Sequence, residues 1–147
     1  MGLNKYNGSY GECYISTPGA TTIATQNVAV AAAGTTTAGP LRGFTHTSPG
    51  KLTYTAPQPA DFMVNITAIL DTAVNAKTFS VAVGINGTIQ VAAETQQAIA
   101  ATTAPEVFSS SYIVALTVGD YIQIMVENVT DNANVTLDQG SLIVTRL

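Results

Sequence analysis

The sequence predicts an all-β fold, an antiparallel β-sandwich or barrel. Three observations carry that prediction. Thr, Val, Ile and Tyr are abundant and few segments keep a helical period. Several stretches alternate apolar and polar residues with a period of two, as strands do when successive side chains leave opposite faces of a sheet. Turn signals recur about every ten residues; the strongest is Asn86-Gly87, where both positions tolerate positive φ.

In chain order, residues 1–9 read as a flexible N-terminal arm, and residues 10–147 as one domain. Tyr10–Thr17 and Thr21–Thr25 are short strands broken at Pro18-Gly19, and Asn27–Ala33 is an apolar strand candidate. Gly and Pro punctuate both ends of 34–40, which predicts a loop. Arg42–Thr47 and Lys51–Ala56 flank the Ser48-Pro49-Gly50 turn, and Pro57-Gln58-Pro59 forces an extended break. Asp61–Leu70 is a strong strand with Phe62, Val64, Ile66, Ala68 and Leu70 on one face. Lys77–Asn86 alternates again and Thr88–Ala93 pairs back on it across the hairpin. Glu94–Glu106 is rich in Ala, Gln and Thr and reads as a long loop or an irregular edge.

Val107–Val118 sets Phe108, Tyr112, Val114, Leu116 and Val118 together on one face. After a Gly-Asp turn, Ile122, Ile124 and Val126 point one way, and Tyr121, Gln123, Met125 and Glu127 the other. A final strand follows an Asn/Asp-rich turn, so the chain is expected to end inside a sheet.

The chain has 147 residues, 46% of them hydrophobic and only 10% charged, where a typical soluble domain has about 25%. Thr, Ser, Asn and Gln replace the missing charge. Such a surface suits assembly, because burying Thr or Gln at a contact costs less than burying Lys or Glu. A domain of this length buries roughly two-thirds of its unfolded surface and needs no disulfide or metal to hold it. The single cysteine, Cys13, cannot form an intrachain disulfide and reads as an inert strand residue.

Net charge is −4, and the five basic residues, Lys5, Arg42, Lys51, Lys77 and Arg146, form no cluster. Phosphate neutralisation has no footprint here, so nucleic acid is not an expected partner. No apolar run approaches the ~18 residues of a membrane span, and the polar N-terminus lacks the apolar core of a signal peptide. The expectation is synthesis in a cytoplasm, with no membrane partner.

The chemistry-bearing residues are sparse. His46 is the only histidine and sits at a strand end, so a Ser-His-Asp triad would depend on it, and no Gly-x-Ser-x-Gly turn presents a serine. One His and one Cys are too few for zinc, and no glycine-rich loop precedes a helix to cradle phosphate. Asp71, Asp120, Asp131 and Asp138 are placed at turns, where acids serve local backbone hydrogen bonds. Asp131–Asn134 lacks the Gly and distal Glu of a calcium loop and reads as a solvated turn. The expectation is a non-enzymatic protein with no catalytic residue, no cofactor and no metal.

The run TVGDYIQIMVEN (117–128), a polar turn and SLIVTRL (141–147) resemble the last strands of the tumour-necrosis-factor-like jelly roll. KLTYTAPQPADFMVNITAIL (51–70) fits the same pattern. GECYISTPGATTIAT (11–25) with TTTAGPLRGFTHTSPGKLTYTA (35–56) resembles bacteriophage virion proteins of this fold, among them capsid decoration (cement) proteins and head-fibre or tail-tip domains. The resemblance spans most of the chain from about Tyr10 onward. There is no collagen-like stalk and no secretion signal, a departure from the animal extracellular branch.

The resemblance implies a jelly-roll homotrimer around a threefold axis that binds a virion or receptor surface without catalysis. The expected role is a trimeric decoration protein on the virion surface that binds and stabilises the major capsid (coat) protein shell. The alternative is a receptor- or glycan-binding module of a head fibre or tail tip, working through 34–41 and 94–106. Tyr14, Tyr54, Tyr112 and Tyr121 are the candidate trimer-interface residues, since Tyr combines large contact area with a hydrogen-bonding tip. Leu3, Asn4, Lys5 and Tyr6 are the candidate capsid-anchoring arm, ordering on contact with the coat.

Overall fold

The computed structural model describes residues 8–147, and the proposed anchor residues Leu3, Asn4, Lys5 and Tyr6 lie outside them. Thirteen strands form among the described residues: β1 Tyr10–Thr17, β2 Gly19–Thr21, β3 Val30–Ala31, β4 Thr35–Arg42, β5 Phe44–Thr47, β6 Lys51–Tyr54, β7 Ala60–Asp71, β8 Lys77–Ile85, β9 Thr88–Ile89, β10 Thr95–Ile99, β11 Glu106–Leu116, β12 Tyr121–Asn128 and β13 Val135–Arg146. One sheet, here sheet A, has the order β11-β7-β13-β1-β4, with β2 beside β13. Sheet B has the order β10-β8-β12-β6-β5, with β3 beside β12 and β9 beside β8. The pairings are antiparallel.

Alternation decides which side chains meet between the sheets. Phe62, Val64, Ile66, Ala68 and Leu70 of β7 face Phe79, Val81 and Val83 of β8 and Ile122, Ile124 and Val126 of β12 in one buried cluster. Phe44, Tyr54 and Phe62 form its aromatic end, with centroids 5.0–5.3 Å apart and the Phe62 ring edge-on to both partners. Fully burying each large apolar side chain contributes about 1.5–3 kcal/mol, so this cluster is what holds the two sheets together.

Both lateral edges of the sandwich are stitched by side chains. On one edge, Thr95 Oγ1 donates to the Ser109 carbonyl at 2.8 Å and Gln97 Nε2 to the Val107 carbonyl at 2.7 Å, joining β10 of sheet B to β11 of sheet A. On the other, Thr36 Oγ1 of β4 lies 2.7 Å from His46 Nε2 of β5 and accepts the Gly50 N–H at 2.7 Å. His46 therefore joins two sheet edges, as a structural histidine does.

Several expected elements are different in the fold. The segment 34–40, expected as a loop, lies largely in β4. Gly39 and Pro40 together oppose the single residue Glu12, because Leu41 pairs with Gly11 and Ala38 with Cys13. The glycine and proline thus mark a bulge on an edge strand, where a missing N–H is tolerated. Glu94–Glu106, by contrast, is the irregular edge expected, with the short edge strand β10 inside it. Thr21–Thr25 is not a strand: β2 ends at Thr21, and the Ile23 N–H turns to Asn134 Oδ1 at 2.9 Å. The strand expected over Asn27–Ala33 shrinks to β3, and Thr88–Ala93 to β9 followed by a 3-10 turn at Val91–Ala93. Val118 leaves the core face because β11 ends at Leu116; the residue is 61% exposed in the turn before Gly119, whose φ is 93°. Ser9, expected in the arm, is buried, and its carbonyl accepts the Arg146 N–H at 3.0 Å.

Candidate interaction surface

The outer face of sheet A is built by the register of four strands. Tyr10, Thr145, Met63 and Ile113 stand side by side on β1, β13, β7 and β11. The next rows are Glu12, Ile143, Asn65 and Ser111, then Tyr14, Ser141, Thr67 and Ser109. Gln139, Ile69 and Val107 continue the face on β13, β7 and β11. Tyr10, Tyr14, Val107, Ile113 and Ile143 are 39–56% exposed, which puts half of the large exposed hydrophobic residues of the described chain on this one face. Glu12 is the only carboxylate in these rows. Ser111 Oγ donates to Asn65 Oδ1 at 2.7 Å, so part of the polar content is satisfied in place.

Where β13 bulges between Leu137 and Gln139, the face opens into a groove of about 510 Å³ lined by Tyr14, Thr67, Ile69, Asp138, Gln139 and Ser141. Asp138 lies inside β13, not at a turn as its spacing suggested. Burial, and then the neighbouring Asp71 charge, push its carboxyl above the usual carboxylate range.

The outer face of sheet B is closed by its own side chains. Met125 packs onto Gly84, where a Cβ would collide with Met125 Cγ. Ala82 is fully buried and Met125 is 3% exposed. Lys51 Nζ sits 3.7 Å above the Tyr121 ring centroid, and Gln123 Nε2 reaches the Pro49 carbonyl at 3.3 Å.

These two faces separate the four candidate tyrosines. Tyr14 is on the outer face of sheet A and Tyr121 on the outer face of sheet B. Tyr54 is fully buried in the aromatic cluster and its hydroxyl donates to the Gln58 carbonyl at 2.8 Å, so it presents no surface to a partner. Tyr112 points inward with Phe108 and Val114 and packs half-buried against the core. The four cannot share one contact. Tyr10, Ile113 and Ile143 are exposed beside Tyr14 and were not among the candidates; their signal was a large apolar side chain at a polar position of an alternating strand.

Turn carboxylates are occupied locally. Asp120 accepts from Thr117 N, Thr117 Oγ1 and Asn86 Nδ2 at 2.7–2.8 Å, and these bonds, that from Asn86 foremost, hold its carboxyl below the usual range. Asp131 pairs with Lys77 at 2.6 Å and accepts from Ala133 N and Asn128 Nδ2, so 131–134 is a self-bonded turn. Cys13 is buried; desolvation, and then Glu12, push its thiol up to about 12. Among the described residues no group of three or more His, Cys, Asp or Glu could hold a metal ion.

No protein-family model matches the chain, and no curated protein matches it. Solved structures do. Murine APRIL at pH 5.0 superposes with a TM-score of 0.66 at 13% identity, covering 96% of this chain and 100% of that one. Eiger TNF from S. frugiperda gives 0.59 at 11% identity, covering 95% of this chain and 93% of that one. The fold is a tumour-necrosis-factor-like jelly roll. At these identities the likeness establishes the architecture of the jelly roll and nothing about what it binds.

Proposed function

We propose that this jelly roll is a non-enzymatic virion protein, a homotrimer that decorates a bacteriophage capsid by binding the coat-protein shell and stabilising it. The observation that carries the trimer is the outer face of sheet A: a four-strand surface that leaves Tyr10, Tyr14, Val107, Ile113 and Ile143 in the open. Half of the large exposed hydrophobic residues of the described chain gather on this face, and such gathering marks interaction sites. The trimer reading is also what the family resemblance implies. The virion role is supported by the likeness of 11–25 and 35–56 to phage virion proteins and by the low charge, which suits dense packing on a shell.

Light scattering on the purified chain tests the assembly: the expected mass is three times 15.2 kDa, and a monomer would overturn it. Deleting residues 2–7 keeps Ser9 in the sheet and should abolish co-sedimentation with expanded phage capsids. Unchanged occupancy removes the anchoring role of Leu3, Asn4, Lys5 and Tyr6.

One observation favours the alternative, a receptor- or glycan-binding module: the groove beside Asp138, with an aromatic ring, a carboxyl and an amide on its walls. The segment 34–41 lies largely in the edge strand β4, so the groove joins 94–106 as a contact region. Binding on a glycan array that is lost in Gln139→Ala would select this reading over the decoration role.

A further inference from the structure

On the outer face of sheet B an unsatisfied hydroxyl stands beside a carboxylate, with a second carboxylate on the same face two residues before the next strand's partner residue. β8 sends Phe79 and Val81 into the core, so Ser80 between them stands on the outer side. Its cross-strand partners are Glu127 on β12 and Gln96 on β10. The hydroxyl therefore lies between a carboxylate and an amide. Glu94 immediately precedes β10, and its charge acts on Glu127: burial first, then Glu94, push the Glu127 carboxyl above its ordinary range. Ser80 is 0% exposed, and among the described residues its Oγ is the one buried side-chain polar atom without a hydrogen-bond partner. A buried hydroxyl left unpaired is costly, and buried polar atoms are nearly always satisfied. Lys77, three residues before Ser80 on β8, is committed to Asp131.

We propose that Glu94 and Glu127, with Ser80 Oγ and Gln96 Oε1, form a binding site for a hard divalent cation of the calcium class. The donor set is oxygen only, which selects Ca²⁺ or Mg²⁺ over zinc or copper. Four side-chain oxygens from one face of a sheet cannot impose the near-ideal octahedron Mg²⁺ demands, whereas Ca²⁺ accepts irregular geometry and completes its shell with water. One ion answers two needs together: it sits between the two carboxylates and gives the orphaned hydroxyl a partner. With two charged ligands the affinity belongs to the weak class, roughly 10⁻⁴–10⁻³ M.

The test is thermal unfolding and calorimetric titration of the EDTA-treated full chain with CaCl₂, using MgCl₂ as comparison. The expected result is a saturable rise in Tm of roughly 3–5 °C at ten times Kd, smaller with Mg²⁺. In E94Q/E127Q, which removes the repulsion and keeps the shape, that rise disappears. In S80A the titration weakens several-fold, a readout that holds even if the double variant folds poorly. No saturable Ca²⁺ effect on the wild-type chain, or an equal effect in E94Q/E127Q, overturns the proposal.

Discussion

The two outer faces of this sandwich are both antiparallel sheets and have opposite fates. Sheet B covers itself: Met125 fills the space above Gly84, Ala82 disappears beneath its neighbours, and Lys51 caps Tyr121. Sheet A leaves Tyr10, Tyr14, Ile113, Ile143 and Val107 in the open, spaced among Thr and Ser. The difference arises from side-chain size. On sheet B the missing side chain of Gly84 lets Met125 lie flat, whereas the outer rows of sheet A hold no glycine over which Tyr14 or Ile143 could fold. The self-covered face needs no partner, and the open one is suited to a second copy of the chain.

The largest effect that would break this comparison is on assembly. Tyr14→Asp with Ile143→Asp puts two charges into the proposed contact, where unpaired burial costs several kcal/mol. The expected outcome by light scattering is collapse of a threefold mass to 15.2 kDa, while Tyr121→Asp on the other face leaves the mass unchanged. Equal behaviour of the two variants would erase the distinction between the faces.

Stability should respond in the reverse order. Met125→Ala removes the covering of sheet B and is expected to cost about 2–3 kcal/mol in chemical denaturation. Gly84→Ala should cost about 1–3 kcal/mol by forcing Met125 out of its place. Ser109→Ala, exposed on sheet A with only its backbone carbonyl engaged, should stay within about 0.5 kcal/mol. A costly Ser109→Ala together with a neutral Gly84→Ala would show that the faces have been assigned the wrong way round.

Much of this contrast is written in the sequence, though unevenly. Central strands such as β7 and β12 are legible because both neighbours and one core face constrain every residue, leaving clean alternation. Edge strands are not. β4 needs hydrogen bonds on one side only, so it accommodates Gly39-Pro40 in a bulge that reads as a loop, and β10 satisfies Thr95 and Gln97 across the sandwich edge instead of showing an apolar stripe. The tyrosines illustrate a different failure. Tyr54 shares parity with Leu52, and Tyr112 with Phe108 and Val114, so period two already pointed both inward; treating tyrosine as an interface residue overrode that signal. The grouping of Gln96, Ser80 and Glu127 was invisible because register, not spacing, brings them together.

A smaller effect concerns the inner side of β1. With its thiol pushed up to about 12, Cys13 carries almost no thiolate at neutral pH and is shut behind the outer row of Tyr10, Glu12 and Tyr14. A disulfide-exchange reagent should label it only after unfolding. Labelling of the folded chain at the rate of a free thiol would mean that β1 detaches from β4 or β13, and that the open face is not the rigid surface assembly requires.

The smallest effects separate two acids by sign, measured with EDTA present. Glu127 has a folded-state pKa above its unfolded one, so the native state holds its proton longer. Stability therefore falls as pH rises from about 4.5 through the folded value, and the penalty is complete above it. Asp120, held down by its hydrogen bonds, does the opposite: its contribution is present above 3.8 and is lost as pH falls below that. At neutral pH, Glu127→Gln should thus stabilise and Asp120→Asn destabilise, each by about 0.5 kcal/mol or less because both sites are largely solvent-screened. Both differences should close in acid, for Glu127→Gln below about 4.5 and for Asp120→Asn below 3.8. If Glu127→Gln instead destabilises at neutral pH, the carboxylate is being satisfied on the self-covered face, and sheet B would hold a favourable charge where the structure places a repelled one.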